Sequence, residues 1–163
     1  MGPGDESAVR AAISDLVATY CDAVTRADAT DFGACWSVDA IWVIPGTGEV
    51  RGRDEIVEQF ARTRATYDFC VQELLSGRIV VHDDGRHAES RWYVRELQHM
   101  EDRTAGELLG TYDDAVAIGD DGAWRFTRRA FQLLYRGRLE MPGRFYRLPP
   151  RWPPSDDGSS EHS

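Results

Sequence analysis

The order of the hydrophobic patterns constrains the fold of this chain more than any single motif does. Apolar residues recur with the spacing of one helix face over residues 8–27 and again over residues 54–65. The segment 67–136 instead reads as four strands, with hairpin turns at Asp83–Gly85 and Asp120–Gly122. Helices followed by a run of strands predict an α+β fold, with the helices on one face of a curved, antiparallel or mixed sheet.

The local signals also predict element boundaries. A short second helix is expected from Phe32 to Trp36, and a loop from Gly46 to Gly52. Five strands are expected, at residues 40–44, 67–82, 87–98, 107–118 and 124–136. Because Leu16, Tyr20 and Val24 share one face of the first helix, we expect them to be buried beneath the sheet.

A length of 163 residues is enough for one domain with one core. We expect that domain to span residues 1–140. Residues 141–163 form a tail rich in proline and arginine, in which the Pro-Pro pairs prevent regular structure. The aromatic residues Phe145, Tyr146 and Trp152 predict that the first part of the tail docks on the domain, whereas residues 155–163 are expected to be disordered.

The charge of the chain indicates what it does not bind. The net charge is -9, which argues against nucleic acid and anionic membranes as partners, since both reward a basic surface. No apolar run approaches the roughly 20 residues of a membrane span, and the first seven residues are too polar for a signal peptide. A cytoplasmic location is therefore expected.

Missing residue types exclude further chemistry. All 19 basic residues are arginine, so neither a lysine Schiff base nor a P-loop is available. The three cysteines, Cys21, Cys35 and Cys70, lack paired spacing and are expected to be buried and inert. The histidines at 82, 87 and 99 fall at turns or strand ends without metal-ligand spacing, so no metal is expected.

An ordered set of short motifs resembles a known family. The set comprises Tyr20 and Ala23 on the first helix, Asp28-x-x-Asp31, Asp39-Ala40, Gly52, Gly110-x-Tyr112-x-Asp114, Asp121-Gly122-x-Trp124-Arg125-Phe126 with Arg129, and Tyr135-Arg136-Gly137. Over residues 8–138 it resembles the SnoaL-like group of the nuclear transport factor 2-like superfamily, whose relatives include scytalone dehydratase, ketosteroid isomerase and polyketide cyclases. The fold hosts many functions, so the resemblance is stronger evidence for the fold than for a reaction.

The resemblance implies a cone-shaped domain, in which a curved sheet wraps the long N-terminal helix and leaves a mostly apolar pocket open at one end. It also implies a homodimer formed through the outer face of the sheet. Most enzymes of the group need no cofactor and use pocket side chains as acids and bases, so no cofactor is expected here.

Three carboxylates are candidate catalytic residues. By resemblance, Asp28 matches an acidic residue that orients a catalytic histidine, although a helix N-cap would also explain it. Glu73 occupies the place of that histidine and faces either the pocket or solvent. Adjacent Asp113 and Asp114 must point to opposite faces of their strand, and Asp113 is favoured as the inward one. Two carboxylates in one apolar pocket would supply an acid and a base.

Other positions set limits on the reaction. Ile44 stands where ketosteroid isomerase holds its carboxylate base, and Ala23 where it holds a tyrosine, so steroid isomerisation by that route is excluded. Arg91 and Arg95 are expected on the outer face of the sheet, and Arg129 is expected to anchor an ion pair. The residues expected to contact substrate, or else to pack in the core, are Tyr20, Trp42, Ile44, Trp92, Thr111, Tyr112 and Phe131.

These features favour a cofactor-free acid–base enzyme, a dehydratase, cyclase or isomerase, acting on a hydrophobic oxygenated small molecule. The resemblance alone suggests polyketide or other secondary metabolism. The alternative is a non-catalytic ligand-binding or assembly protein with the same fold. An epoxide hydrolase is a third possibility, but the Asp–Arg–Asp triplet that such a site uses is not evident.

Overall fold

The computed structural model describes residues 3–102 and 104–150. The predictions for Trp152 and residues 155–163 lie outside them. Three helices precede or interrupt the strands: α1 Pro3–Arg26, α2 Ala29–Ala34 and α3 Arg53–Arg64. The strands are β1 Trp36–Ile44, β2 Gly48–Arg51, β3 Tyr67–Val81, β4 His87–Met100, β5 Ala105–Ile118 and β6 Trp124–Arg138.

The six strands form one mixed sheet in the order β2-β1-β6-β5-β4-β3. All neighbours are antiparallel except β1 and β6, which run parallel. The predicted α+β fold with a mixed sheet is therefore confirmed. The predicted loop from Gly46 to Gly52 was wrong in part, because it contains the short edge strand β2. Trp36 was also misplaced, since it begins β1 opposite Phe126 and does not end a helix.

The helix α1 packs mainly on β3 and buries one apolar face. Leu16, Tyr20 and Val24 are all buried, as their helical spacing predicted. Tyr20 lies at the centre of an aromatic cluster with α2, β1 and β6, where its ring contacts Phe32, Trp36 and Phe126. This cluster joins the helical half of the chain to the last strand.

Register shifts bend the long strands. One lies in β3, where Leu75 is the extra residue, and another lies in β6, where Leu134 is the extra residue opposite Leu109 and Gly110. Such bulges bend a strand and increase its twist, which allows the sheet to curve around α1. Glycine is required at position 110, next to the second register shift, because a Cβ there would meet the ring of Phe131 at 2.2 Å.

A buried ion pair crosses the inner face of the sheet. Arg129 donates hydrogen bonds from Nε and NH2 to the two carboxylate oxygens of Asp114, each at 2.8 Å. Both side chains are 0% exposed. The guanidinium also lies 4.2 Å from the ring centroid of Tyr20 and 4.1 Å from that of Tyr112. Arg129 is thus the ion-pair anchor that was expected, and its guanidinium also packs against the rings of Tyr20 and Tyr112.

Among the described residues, no helix is long and apolar enough to cross a membrane.

Candidate functional site

A cavity of about 160 Å³ opens between α1, α3 and the concave face of the sheet. Its wall combines aromatic and aliphatic side chains with a small number of polar ones. Five of the residues predicted to contact substrate line it, namely Tyr20, Trp42, Ile44, Tyr112 and Phe131. This composition is typical of a small-molecule pocket.

The other two predicted contacts lie elsewhere. Trp92 is buried in the core away from the cavity, and its indole Nε1 donates to Ser90 Oγ at 2.8 Å. Thr111 precedes Tyr112 on β5, and because Tyr112 faces inward, Thr111 points to the outer face. Placing Trp92 and Thr111 in the pocket was therefore wrong.

Asp28 is the N-cap of α2. Its Oδ1 accepts hydrogen bonds from the backbone N–H groups of Thr30 and Asp31, at 3.0 and 2.9 Å. Its Oδ2 accepts one from Arg26 at 2.9 Å. Partial burial favours the neutral acid, but these hydrogen bonds outweigh it and hold the pKa of Asp28 below its usual range. Asp28 does not line the cavity, and its contacts are those of the capping alternative.

Glu73 and Asp113 both point away from the cavity. Glu73 is 39% exposed and lies 3.5 Å from Arg95. Asp113 is 45% exposed and accepts two hydrogen bonds of 2.6 Å from Arg91, which lowers the pKa of Asp113. The favoured inward placement of Asp113 was wrong, and Glu73 takes the solvent-facing alternative, because strand alternation gives the inner face to Gln72 and to Asp114. The three predicted carboxylates are therefore not brought together.

Glu96 on β4 is a site residue that sequence reasoning missed. It is the one carboxylate among the described residues that line the cavity. Its Oε2 accepts a hydrogen bond of 2.8 Å from Gln72 Nε2, and its Oε1 accepts one from Gln98 Nε2. Alternation along β4 from the buried Val94 would have indicated that Glu96 and Gln98 face inward. The two amides fix the orientation of the carboxylate.

Two phenols lie beside these amides in the wall of the cavity. Gln72 Nε2 also donates to Tyr112 Oη at 3.3 Å, and the hydroxyls of Tyr112 and Tyr20 lie 3.4 Å apart. Burial raises the pKa of both tyrosines well above the usual value. Tyr112 therefore stays protonated at neutral pH and is available as a hydrogen-bond donor.

The two arginines of the wall differ in how they are used. Arg64 is buried and donates to the backbone carbonyls of Val24, Thr25 and Tyr67, at 2.9, 3.1 and 3.2 Å. Arg64 thereby satisfies carbonyls at the end of α1. Arg136 is exposed at the mouth of the cavity.

Within the described part of the chain, no group of histidine, cysteine and carboxylate side chains is arranged to hold a metal ion.

Comparisons with known proteins identify the fold. The sequence matches the SnoaL-like domain over residues 5–130. No curated protein matches it. A type 2 hexachlorocyclohexane dehydrochlorinase is 20% identical, with a TM-score of 0.79 over 91% of this chain and 99% of that chain.

Two further solved structures are similar. A candidate scytalone dehydratase from Novosphingobium aromaticivorans is 18% identical, with a TM-score of 0.78 over 86% of this chain and 93% of its own. A nuclear transport factor 2-like superfamily protein from Salmonella enterica serovar Typhimurium is 18% identical, with a TM-score of 0.74 over 86% and 99% of the two chains. At these identities the likeness shows the fold alone. The match over residues 5–130 shows that the chain belongs to the SnoaL-like domain family, and its fold is that of the nuclear transport factor 2-like protein.

Proposed function

We propose that this protein is a cofactor-free enzyme that moves protons on a small, hydrophobic, oxygenated molecule, as a dehydratase, cyclase or isomerase. The observation that carries this proposal is the position of Glu96. A carboxylate in an apolar, aromatic-lined cavity, held by two amides, is suited to act as a general base. The neutral phenol of Tyr112 is linked to it through Gln72.

The chemistry can be completed by a single carboxylate. Glu96 takes a proton from a carbon next to a carbonyl, and the electron pair of the broken C–H bond forms an enolate. The Tyr112 hydroxyl donates a hydrogen bond to the enolate oxygen, which stabilises the developing charge. In an isomerisation, protonated Glu96 returns the proton to another carbon of the conjugated system. In a dehydration, it gives the proton to a departing hydroxyl, so that water leaves, a C=C bond forms and the carboxylate is restored.

The volume of the cavity indicates the size of the reacting group. An apolar cavity of about 150 Å³ holds one benzene ring, and this cavity measures about 160 Å³. A substrate therefore places about one ring between Trp42, Tyr112 and Phe131, and any larger part extends through the open mouth. An oxygenated ring from polyketide or other secondary metabolism would meet these requirements.

The test uses exchange of carbon-bound protons, because it detects the base before the full reaction is known. One-ring β-hydroxyketones and enones are incubated with the protein in D₂O, and deuterium uptake is followed by NMR. We expect Glu96→Gln to slow the exchange by about 10²–10⁴-fold, the usual contribution of a general base. Glu73→Gln is the matched control, because Glu73 lies on the adjacent strand but on the outer face, and it should exchange at the wild-type rate.

A non-catalytic ligand-binding protein is the second candidate. It is favoured by the fact that both oxygens of Glu96 already accept hydrogen bonds, and by the presence of a non-ionisable amide, Gln72, beside it. This alternative predicts saturable binding of the same compounds with no exchange. Either that result or an unchanged rate in Glu96→Gln would reject the proposed base. The epoxide hydrolase alternative gains no support, because the described lining residues include no Asp–Arg–Asp triplet.

A further inference from the structure

We propose that Arg136 binds a carboxylate group of the ligand, so that the substrate class is a small, ring-sized carboxylic acid bound as its anion. This inference rests on the proposed function only in taking the cavity as the substrate site. It adds the charge of the substrate and its orientation, neither of which follows from Glu96.

One continuous row of side chains crosses the inner face of four strands. Gln72 on β3 pairs with Glu96 on β4, Glu96 pairs with Leu108 on β5, and Leu108 pairs with Arg136 on β6. All four residues line the cavity, so they share its concave face. Glu96 and Arg136 are two strand spacings apart, which places their backbones about 10 Å from each other. The cavity is therefore bipolar, with a carboxylate on one side and a guanidinium on the other.

The charge of Arg136 is not used by the fold. Arg64 is committed to three backbone carbonyls, and Arg129 to Asp114. Arg136, in contrast, makes no ion pair with any carboxylate within residues 3–102 and 104–150. Leu108 stands between Arg136 and Glu96, whose oxygens already accept from Gln72 and Gln98. A planar guanidinium at the edge of an apolar cavity matches the geometry of a carboxylate and can bind it with two parallel hydrogen bonds.

This arrangement selects an anionic ligand and sets its direction. A carboxylate at Arg136 leaves the ring between the aromatic walls and directs the far end of the molecule towards Glu96. The backbones of Glu96 and Arg136 are about 10 Å apart, and the guanidinium beside the ligand carboxylate offsets the repulsion between that carboxylate and Glu96. A neutral ligand of the same shape gains nothing from Arg136, and a cationic one can pair only with Glu96 at the other side of the cavity.

The test compares three one-ring probes that differ in charge: benzoate, benzamide and benzamidine. Binding is measured by calorimetry and by tryptophan fluorescence, to which Trp42 in the cavity wall contributes. We expect benzoate to bind the wild-type protein about two- to fivefold more tightly than benzamide, which is the upper range for an ion pair at an exposed arginine. Benzamidine gains nothing from Arg136, so its affinity should not fall when Arg136 is replaced.

Arg136→Gln should abolish the preference for benzoate over benzamide. Arg128→Gln is the matched control, because Arg128 is exposed on the same strand and alternates with the inward-facing Arg129, and it should keep the preference. Equal binding of the two probes by the wild-type protein, absence of benzoate binding, or an unchanged preference in Arg136→Gln would each overturn the inference.

Glu96→Gln separates this inference from the proposed function. The variant should keep the preference for benzoate, because the carboxylate site depends on Arg136. If Glu96→Gln also keeps the exchange rate, the proposed base is wrong but the carboxylate site stands. If Glu96→Gln slows the exchange but the wild-type protein does not prefer benzoate, the carboxylate site is refuted and the proposed base stands.

Discussion

Adjacent aspartates on β5 should differ sharply in their contribution to stability. Asp114 is 0% exposed and holds the equally buried Arg129 with two hydrogen bonds of 2.8 Å. Asp113 is 45% exposed and pairs with Arg91, which is 57% exposed. Replacing each aspartate by asparagine removes one charge and keeps the size of the side chain. The two substitutions therefore compare the same chemical change in two environments, one residue apart.

The expected magnitudes follow from burial. Asp114→Asn leaves a guanidinium buried without its counter-charge, which costs about 3–5 kcal/mol. Asp113→Asn breaks an exposed pair, for which the loss is about 0–1 kcal/mol. Since whole domains are stable by only about 5–15 kcal/mol, the first variant should lose a large part of its free energy of unfolding.

Urea unfolding followed by circular dichroism measures both values. A double variant, Asp114→Leu with Arg129→Met, tests the cause, because replacing a buried pair by apolar residues of similar volume is often neutral. It should recover most of the stability that Asp114→Asn loses. If the asparagine variants differ by less than about 1 kcal/mol, well under the difference expected between a buried and an exposed pair, the inward placement of Asp114 is refuted.

Two other predictions concern the sheet. Gly110→Ala should destabilise the protein by about 1–3 kcal/mol, as overpacking usually does, because its Cβ would meet the Phe131 ring at 2.2 Å. Gly143→Ala has nothing within 4 Å of the added Cβ and should leave the free energy of unfolding unchanged in the same urea experiment. Equal losses of stability in the two variants would count against the close packing at Gly110. We also propose that two chains pair through the outer face, because Leu75, Tyr93 and Leu134 are exposed there at 55%, 43% and 54%. Light scattering should report about twice the chain mass of 18.4 kDa for the wild type and the chain mass for Tyr93→Glu, and a wild-type monomer at high concentration would reject the dimer.

The fold was predictable because its signals are local. Helical spacing located α1 and α3, and two Asp-Asp-Gly turns separated strands whose pairing then follows in sequence. Strand β2 was missed because it is only four residues long and includes a glycine. A local turn over residues 45–47, with positive φ at Gly46 and Gly48, joins it to β1. Pro45-Gly46 marks that turn, but it does not show that the next four residues pair back with β1.

The site was less predictable because strand orientation has a period of two. A one-residue shift exchanges the faces, and for this reason the direction of Glu73 was left open. Apolar residues on both sides, Val71 and Leu74, leave the alternation there ambiguous. At Asp113 and Asp114 the local sequence shows only that the two side chains diverge. Which one turns inward depends on Arg129, a partner 15 residues away.

The parallel pairing of β1 with β6 affects how the chain reaches its native state. The two strands are separated by the whole β2–β5 segment, so the seam between them forms only after the last strand has been synthesised. Until then β5 lacks one neighbour and exposes a long edge, which can pair with other chains. Such distant pairing also slows folding. Products that end before Trp124 should therefore aggregate.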